Sequence, residues 1–412
     1  MELFHVIAAI IALSAIFSYL NVRHLRMPSG IFLMLAGMAL SLVVLAIGGF
    51  SPGFAEGVKN TISRLDFADA LLNIMLSFML FAGAMHINLS TLRKVKWSVL
   101  SFATVGVLVS TILVGSGFHL LLQLLGTPIP FIHCLLFGAL ISPTDPIAVM
   151  GILKKAGVSE TLGAKIAGES LFNDGVGVVV FLTIYQIAQY GLGHVSGSEV
   201  GILLLEEIGG GLVLGLGLGF LAYLMMKRID HYVTEVLISL ALVMGGYSLA
   251  QLLHFSGPLA MVVAGLLIGN QGHRYAMSDL TADYVHKFWE MVDESLNAVL
   301  FVFIGLEILL IPFSPITILI GMLSGMLVTA SRYVSLATPS YMLGLKRTFE
   351  PHTLPILTWG GLKGGISIAL ALSLTAAMDR DIILPVTYVV VLLSLSIQGL
   401  TVGKLVERLR RA

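Results

Sequence analysis

Only one cysteine, Cys134, stands in this chain of 412 residues. No disulfide closes within the chain, and no cysteine-based zinc site can be assembled. Charge is scarce as well: 11% of the residues are Asp, Glu, Lys or Arg, against about 25% in ordinary soluble domains. The 23 basic and 23 acidic residues cancel to a net charge of zero. With no basic block, nothing points to nucleic acid. Long polar connections are missing too, so no separate soluble domain interrupts the sequence. What remains is apolar: 57% of the residues are hydrophobic. That composition cannot cover a water-facing surface, and it fits an all-α polytopic membrane protein. The apolar run 3–20 has neither a basic leader nor a small-residue cleavage site, so it reads as a first span rather than a signal peptide.

A window of about 20 residues picks out thirteen candidate spans. They lie near 3–20, 29–49, 66–87, 98–124, 130–153, 161–189, 201–226, 233–252, 256–270, 288–310, 313–335, 353–377 and 382–404. Of the 23 basic residues, 18 fall on alternate connections: Arg23, Arg26, Arg93, Lys94, Lys96, Lys154, Lys155, Lys165, Lys227, Arg228, Arg274, Lys287, Lys346, Arg347, Lys404, Arg408, Arg410 and Arg411. The opposite connections hold three, Lys59, Arg64 and Arg380, and the spans hold Arg332 and Lys363. The positive-inside rule then puts the C-terminus in the cytoplasm and the N-terminus outside. An odd number of spans follows.

Twelve of the spans divide into two sets of six around the seventh. In the first set the fifth span is interrupted by Ser142-Pro143-Thr144-Asp145-Pro146; in the second, span 12 is interrupted by Gly360-Gly361-Leu362-Lys363-Gly364-Gly365. Paired interruptions of this kind point to a transport site near the bilayer midplane, formed where two inverted repeats cross. Each broken helix brings a positive and a negative end into the membrane. Asp145, next to Pro146, can face a positive end, and Lys363 can offset the negative ones.

The costliest residues lie on span 6, in Gly168-Glu169-Ser170-Leu171-Phe172-Asn173-Asp174-Gly175. An acid at mid-bilayer costs at least about 2.5–3.5 kcal/mol, so two within six residues demand a role. Glu169, Ser170, Asn173 and Asp174 fall at about 0°, 100°, 40° and 140° on a helix and share one face. An oxygen-rich face of two acids, a hydroxyl and an amide suits a hard alkali cation. Within the spans, Asp145, Glu169 and Asp174 stand against Arg332 and Lys363. One excess negative charge is left, which one cation or one proton neutralises.

Thr144-Asp145-Pro146, the Glu169–Asp174 string and Gly361-Leu362-Lys363-Gly364 together resemble the monovalent cation:proton antiporters of the NhaP/NHE type. The order of the motifs and the 29-residue gap from Asp145 to Asp174 agree, and the likeness runs along nearly the whole chain. The resemblance implies exchange of Na⁺, or else Li⁺ or K⁺, for a proton at one to one, with no cofactor and no enzymatic chemistry. It also implies a homodimer in the cell membrane. A dimerisation domain would comprise 1–92 and 231–311, a core domain 93–195 and 312–412, and residues 196–230 would link them. Asp174 would be the exchange carboxylate, with Ser170, Thr144, Asp145 and Asn173 lining the ion site. Glu169 would pair with Arg332, and Lys363 would compensate helix ends. Two departures stand out: Ala82 precedes Gly83 where relatives often carry an acid, and Lys363 stands where many carry arginine.

Blander readings have to be set beside these. A purely structural polar cluster leaves two acids with one basic partner, which does not balance. Asp145 is as well explained by helix-end neutralisation as by ion contact. Gly211, Gly215 and Gly219 form a small-residue stripe suited to helix packing. The histidines are scattered and form no metal-spaced pair. Asp66, Asp69, Asp293 and Glu294 sit near span ends, where solvation suffices to explain them. A cation channel needs a polar stripe through the whole span, and here the polar groups stop at one level. An intramembrane hydrolase using Ser170 lacks a partner motif.

Overall fold

Helices account for almost every regular segment of the computed structural model, which describes residues 2–63, 67–145, 149–151, 153, 158–191, 197–342, 344 and 352–411. In chain order they are α1 (Phe4–Leu25), α2 (Ser29–Gly48), α3 (Pro52–Ile62), α4 (Ala70–Met85), α5 (Leu89–Leu124) and α6 (Phe131–Ile141). There follow α7 (Glu160–Tyr190), α8 (Gly197–Met226), α9 (Tyr232–Leu252), α10 (Gly257–Leu267) and α11 (Asp279–Glu307). The chain closes with α12 (Pro315–Met342), α13 (Thr353–Gly360), α14 (Gly365–Leu372) and α15 (Arg380–Leu409). Among the described residues, eight helices are long and apolar enough by themselves to cross a bilayer. The others are shorter, broken or more polar, so the count of thirteen rests on hydropathy alone.

Two helices begin well ahead of their hydropathy windows. The α5 helix begins at Leu89, ahead of the window's 98, because the Asn88 side chain accepts hydrogen bonds from the Ser90 and Thr91 amides. Arg93, Lys94 and Lys96 therefore ride on helix, not on a loop. Ser278 caps α11 in the same manner, which turns most of the polar connection before 288 into its first turns. Hydropathy sees the apolar stretch; the cap sets where the helix begins. One element was not expected at all: α3, a short amphipathic helix with Pro52 in its first turn.

Lys165 is a correction. It lies inside α7, 3% exposed, rather than in a cytoplasmic connection. The charge balance within the spans was also incomplete, since Glu235 and Glu307 are buried while Asp145 is only half-buried. Arg64, Asp66, Pro146, Lys154, Lys155, Lys346 and Arg347 lie outside the described residues.

The glycine stripe on α8 packs against α10. A Cβ on Gly211 would sit 2.6 Å from the Ser256 carbonyl oxygen, and one on Gly215 would sit 2.4 Å from that of Ala260. Backbones this close need small residues, the usual currency of helix association where lipid supplies no hydrophobic drive.

Candidate ion site

The two interrupted segments meet. The Asp145 amide donates to the Leu362 carbonyl at 2.8 Å, so the break after α6 and the break between α13 and α14 are joined backbone to backbone. Lipid offers no partners to unwound peptide groups, and this link satisfies one from each segment. Charges then act across the joint rather than along their own helix. Lys363 Nζ donates to the carbonyls of Ser142 (3.1 Å) and Pro143 (3.3 Å), at the negative C-terminal end of α6. The Asp145 carboxylate packs against Gly364, which precedes the first residue of α14 and therefore its positive end. Each broken helix thus supplies the charge that offsets the other's end.

Two glycines make that crossing possible. A Cβ on Gly361 would lie 2.3 Å from Arg332 Nε, and one on Gly364 would lie 2.7 Å from the Cβ of Asp145. Gly361→Ala is expected to lower the thermal stability of the purified protein and to displace Arg332, whereas Gly217→Ala, which meets nothing within 4 Å, is expected to be neutral. Equal melting temperatures for the two variants would contradict this account of the crossing.

The α7 helix faces the joint with its polar side. Its N-terminus is capped by Ser159, whose side chain accepts from the Leu162 amide at 3.1 Å. Glu169, 1% exposed, receives both ends of the Arg332 fork from α12, at 2.9 Å and 2.8 Å. Asn173 donates to Glu169 Oε1 and to Thr144 Oγ1, both at 2.9 Å, and its own oxygen accepts from the Thr144 amide at 3.2 Å. The Thr144 and Ser170 hydroxyls are 3.0 Å apart. A continuous polar chain results: Arg332, Glu169, Asn173, Thr144, Ser170.

Asp174 stands outside that chain. It is 7% exposed, and among the described residues no hydrogen bond or ion pair reaches its carboxylate. It lines a cavity of about 90 Å³ together with Thr144, Asp145, Gly364 and Ser367. The cavity has room for a cation with a few waters, and its polar wall is almost entirely oxygen. Every residue singled out in the sequence for this site is thereby placed at or next to the crossing. Ser367, 1% exposed, was missed; its signal was a hydroxyl two residues into a helix that restarts inside the membrane.

Residues 10–408 match the family model described as sodium/hydrogen exchanger, transmembrane. The chain belongs to the sodium/hydrogen exchanger family. Within it, the Na(+)/H(+) antiporter NhaP of Pseudomonas aeruginosa is 47% identical over 408 residues, covering 98% of this chain and 96% of the relative. The Na(+)/H(+) antiporter NhaH of Halobacillus dabanensis is 35% identical over 393 residues, 93% of each. The fold is that of the sodium proton antiporter MjNhaP1 from Methanocaldococcus jannaschii, with a TM-score of 0.78 over 99% of both chains at 22% identity. Exchangers are transporters, and Asp174 and its cavity lie inside the matched residues.

Proposed function

We propose that this chain is a secondary active transporter exchanging Na⁺ for a proton, one for one, by alternating access. A single observation carries the reading: Asp174 is a buried carboxylate with no donor among the described residues, at the wall of a small, largely apolar cavity whose polar side chains are Thr144, Asp145, Asp174 and Ser367. A carboxylate in that position stays ionised only with a cation beside it and otherwise takes a proton. The two cargoes compete for one charge, and competition is coupling. Thr144, Ser170 and Asp145 supply further oxygens, Asn173 orients Thr144, and the Glu169–Arg332 pair fixes the scaffold.

Further parts of the reading are a homodimer in the cell membrane, with the cytoplasmic C-terminus that the basic residues indicate. The core would comprise 93–195 and 312–412, moving against 1–92 and 231–311. The relatives' names specify Na⁺, so K⁺ exchange is the weaker alternative. A channel is weaker still, because the polar groups cluster at one depth.

Dye-monitored dissipation of a pH gradient in proteoliposomes, with Na⁺, Li⁺ and K⁺ added in turn, tests this. Na⁺ is expected to give the largest response. Below the pH at which the site titrates, the apparent KM for Na⁺ is expected to rise about tenfold per pH unit, while the maximal rate stays nearly constant. A KM independent of pH throughout the active range would rule out a shared carboxylate.

A further inference from the structure

We infer that a surface pocket, between the α4–α5 turn, the segment that follows α10 and the start of α11, binds a phosphate monoester. Its volume is about 760 Å³, within the range of small-molecule sites, about 300–1,000 Å³. It shares one lining residue, Ile87, with the ion cavity. Asn270 fixes its floor. The Asn270 side chain accepts from the Leu89 amide at 2.8 Å and donates to the carbonyls of Ile87 (3.0 Å) and Leu266 (2.9 Å). The turn before α5 is thereby fastened to the end of α10.

Charge selects the occupant. Arg93, Arg274, His86, His273 and His286 line the pocket, and no acidic residue does. Both arginines are exposed, and among the described residues neither is paired with a carboxylate. The three imidazoles crowd together: the ring centroids of His86 and His286 are 5.6 Å apart, those of His273 and His286 5.3 Å. Among the described residues no such group is placed to hold a metal ion. Burial, and then the charge of His86 and His273, lowers the pKa of His286, with Asp283 and Glu290 on α11 opposing. Asp283 is itself engaged with Lys287 at 2.7 Å. The positive end of α5 opens onto the pocket at Asn88, Leu89 and Ser90 and adds to the same field. Positive charge that is accessible and has no counter-charge in the wall attracts an anion.

Geometry and position narrow the anion. Guanidinium forks match phosphate oxygens, and a phosphate monoester offers three of them with about −1.5 to −2 charges. Trp97, four residues along α5 from Arg93, is 66% exposed, and Tyr275, next to Arg274, is 54% exposed. Amphipathic rings of this kind sit at the level of lipid head groups. A lipid head therefore reaches the pocket from the side, and a soluble phosphate ester reaches it from water. The proposed topology puts this end in the cytoplasm, where basic pockets between membrane helices take anionic head groups. Both sources present the same group, and its binding is measurable without any exchange activity.

Native mass spectrometry of the full-length protein in detergent tests the proposal, with phosphatidic acid as the lipid probe and glycerol 3-phosphate as the same head group without tails. Wild-type protein is expected to bind phosphatidic acid about tenfold more tightly than phosphatidylcholine, the weight of one charge-assisted hydrogen bond. Arg93→Gln combined with Arg274→Gln is expected to abolish that preference. The melting temperature of this variant should be unchanged, because neither arginine is paired. Lys227→Gln combined with Arg228→Gln removes the same charge from exposed positions outside the pocket and is expected to bind like wild type. Phosphatidic acid that resists competition by glycerol 3-phosphate assigns a lipid occupant; equal affinity for the two assigns a soluble phosphate ester. Binding no tighter than that of phosphatidylcholine would overturn the proposal. So would an arginine double variant that binds like wild type, or a Lys227 and Arg228 variant that loses as much.

Discussion

Asp174→Asn protein reconstituted into liposomes is expected to show no sodium-driven proton flux above that of protein-free vesicles. Its thermal stability is expected to stay within about 1 kcal/mol of wild type or to exceed it. The asymmetry follows from the geometry. No donor in the described structure depends on the Asp174 carboxylate, so an isosteric amide strands nothing. Removing a desolvated negative charge relieves a cost that folding must otherwise bear. Exchange, by contrast, needs a group that alternates between a charged form and a protonated one, and an amide does neither. Retained flux in Asp174→Asn vesicles would move the exchange carboxylate elsewhere; Asp145 would be the next candidate.

Arg332→Ala is expected to behave in the opposite sense, damaging the fold before the chemistry. Both partners are almost fully buried, and Glu169 depends on Arg332 for two of its hydrogen bonds. Breaking such a pair from one side leaves a bare charge and costs about 3–5 kcal/mol. Expression yield and melting temperature in detergent are the readouts, with Glu169→Gln combined with Arg332→Gln as the comparison. The double variant should recover much of the loss, because neither residue then carries an unmatched charge. If the single and double variants melt together, the pair does not hold the scaffold, and the polar chain through Asn173 must be stabilised by another route.

The sequence alone revealed the helical membrane architecture, the two interruptions and the polar face of α7, because those depend on local rules: hydropathy, helix-breaking residues and a period of 3.6. Glu169 and Arg332 are 163 residues apart, and only their opposite charge inside apolar spans suggested a meeting; the fork geometry was not visible. Lys165 misled because a basic residue near a span end was counted with the connection before it, although the apolar window and α7 both already include it. The reciprocal arrangement of Asp145 and Lys363 was hidden for a different reason. Which helix end a charge serves depends on how two segments cross, and no spacing rule encodes a crossing. Glu235 and Glu307 did not enter the charge balance read from the sequence, yet both are buried in helix packing.

The bond from the Asp145 amide to the Leu362 carbonyl has a consequence for motion. It rivets the two interrupted segments together by main chain where they cross. On the proposed motion Thr144, Asp145 and Gly364 move as one group on that joint, while the cavity's facing wall, which includes Leu80, Gly83 and Leu300, belongs to the part they move against. Because the rivet is made of main chain, side-chain replacement at either position leaves it in place. Of the twenty amino acids, only proline at 145 would remove the donor.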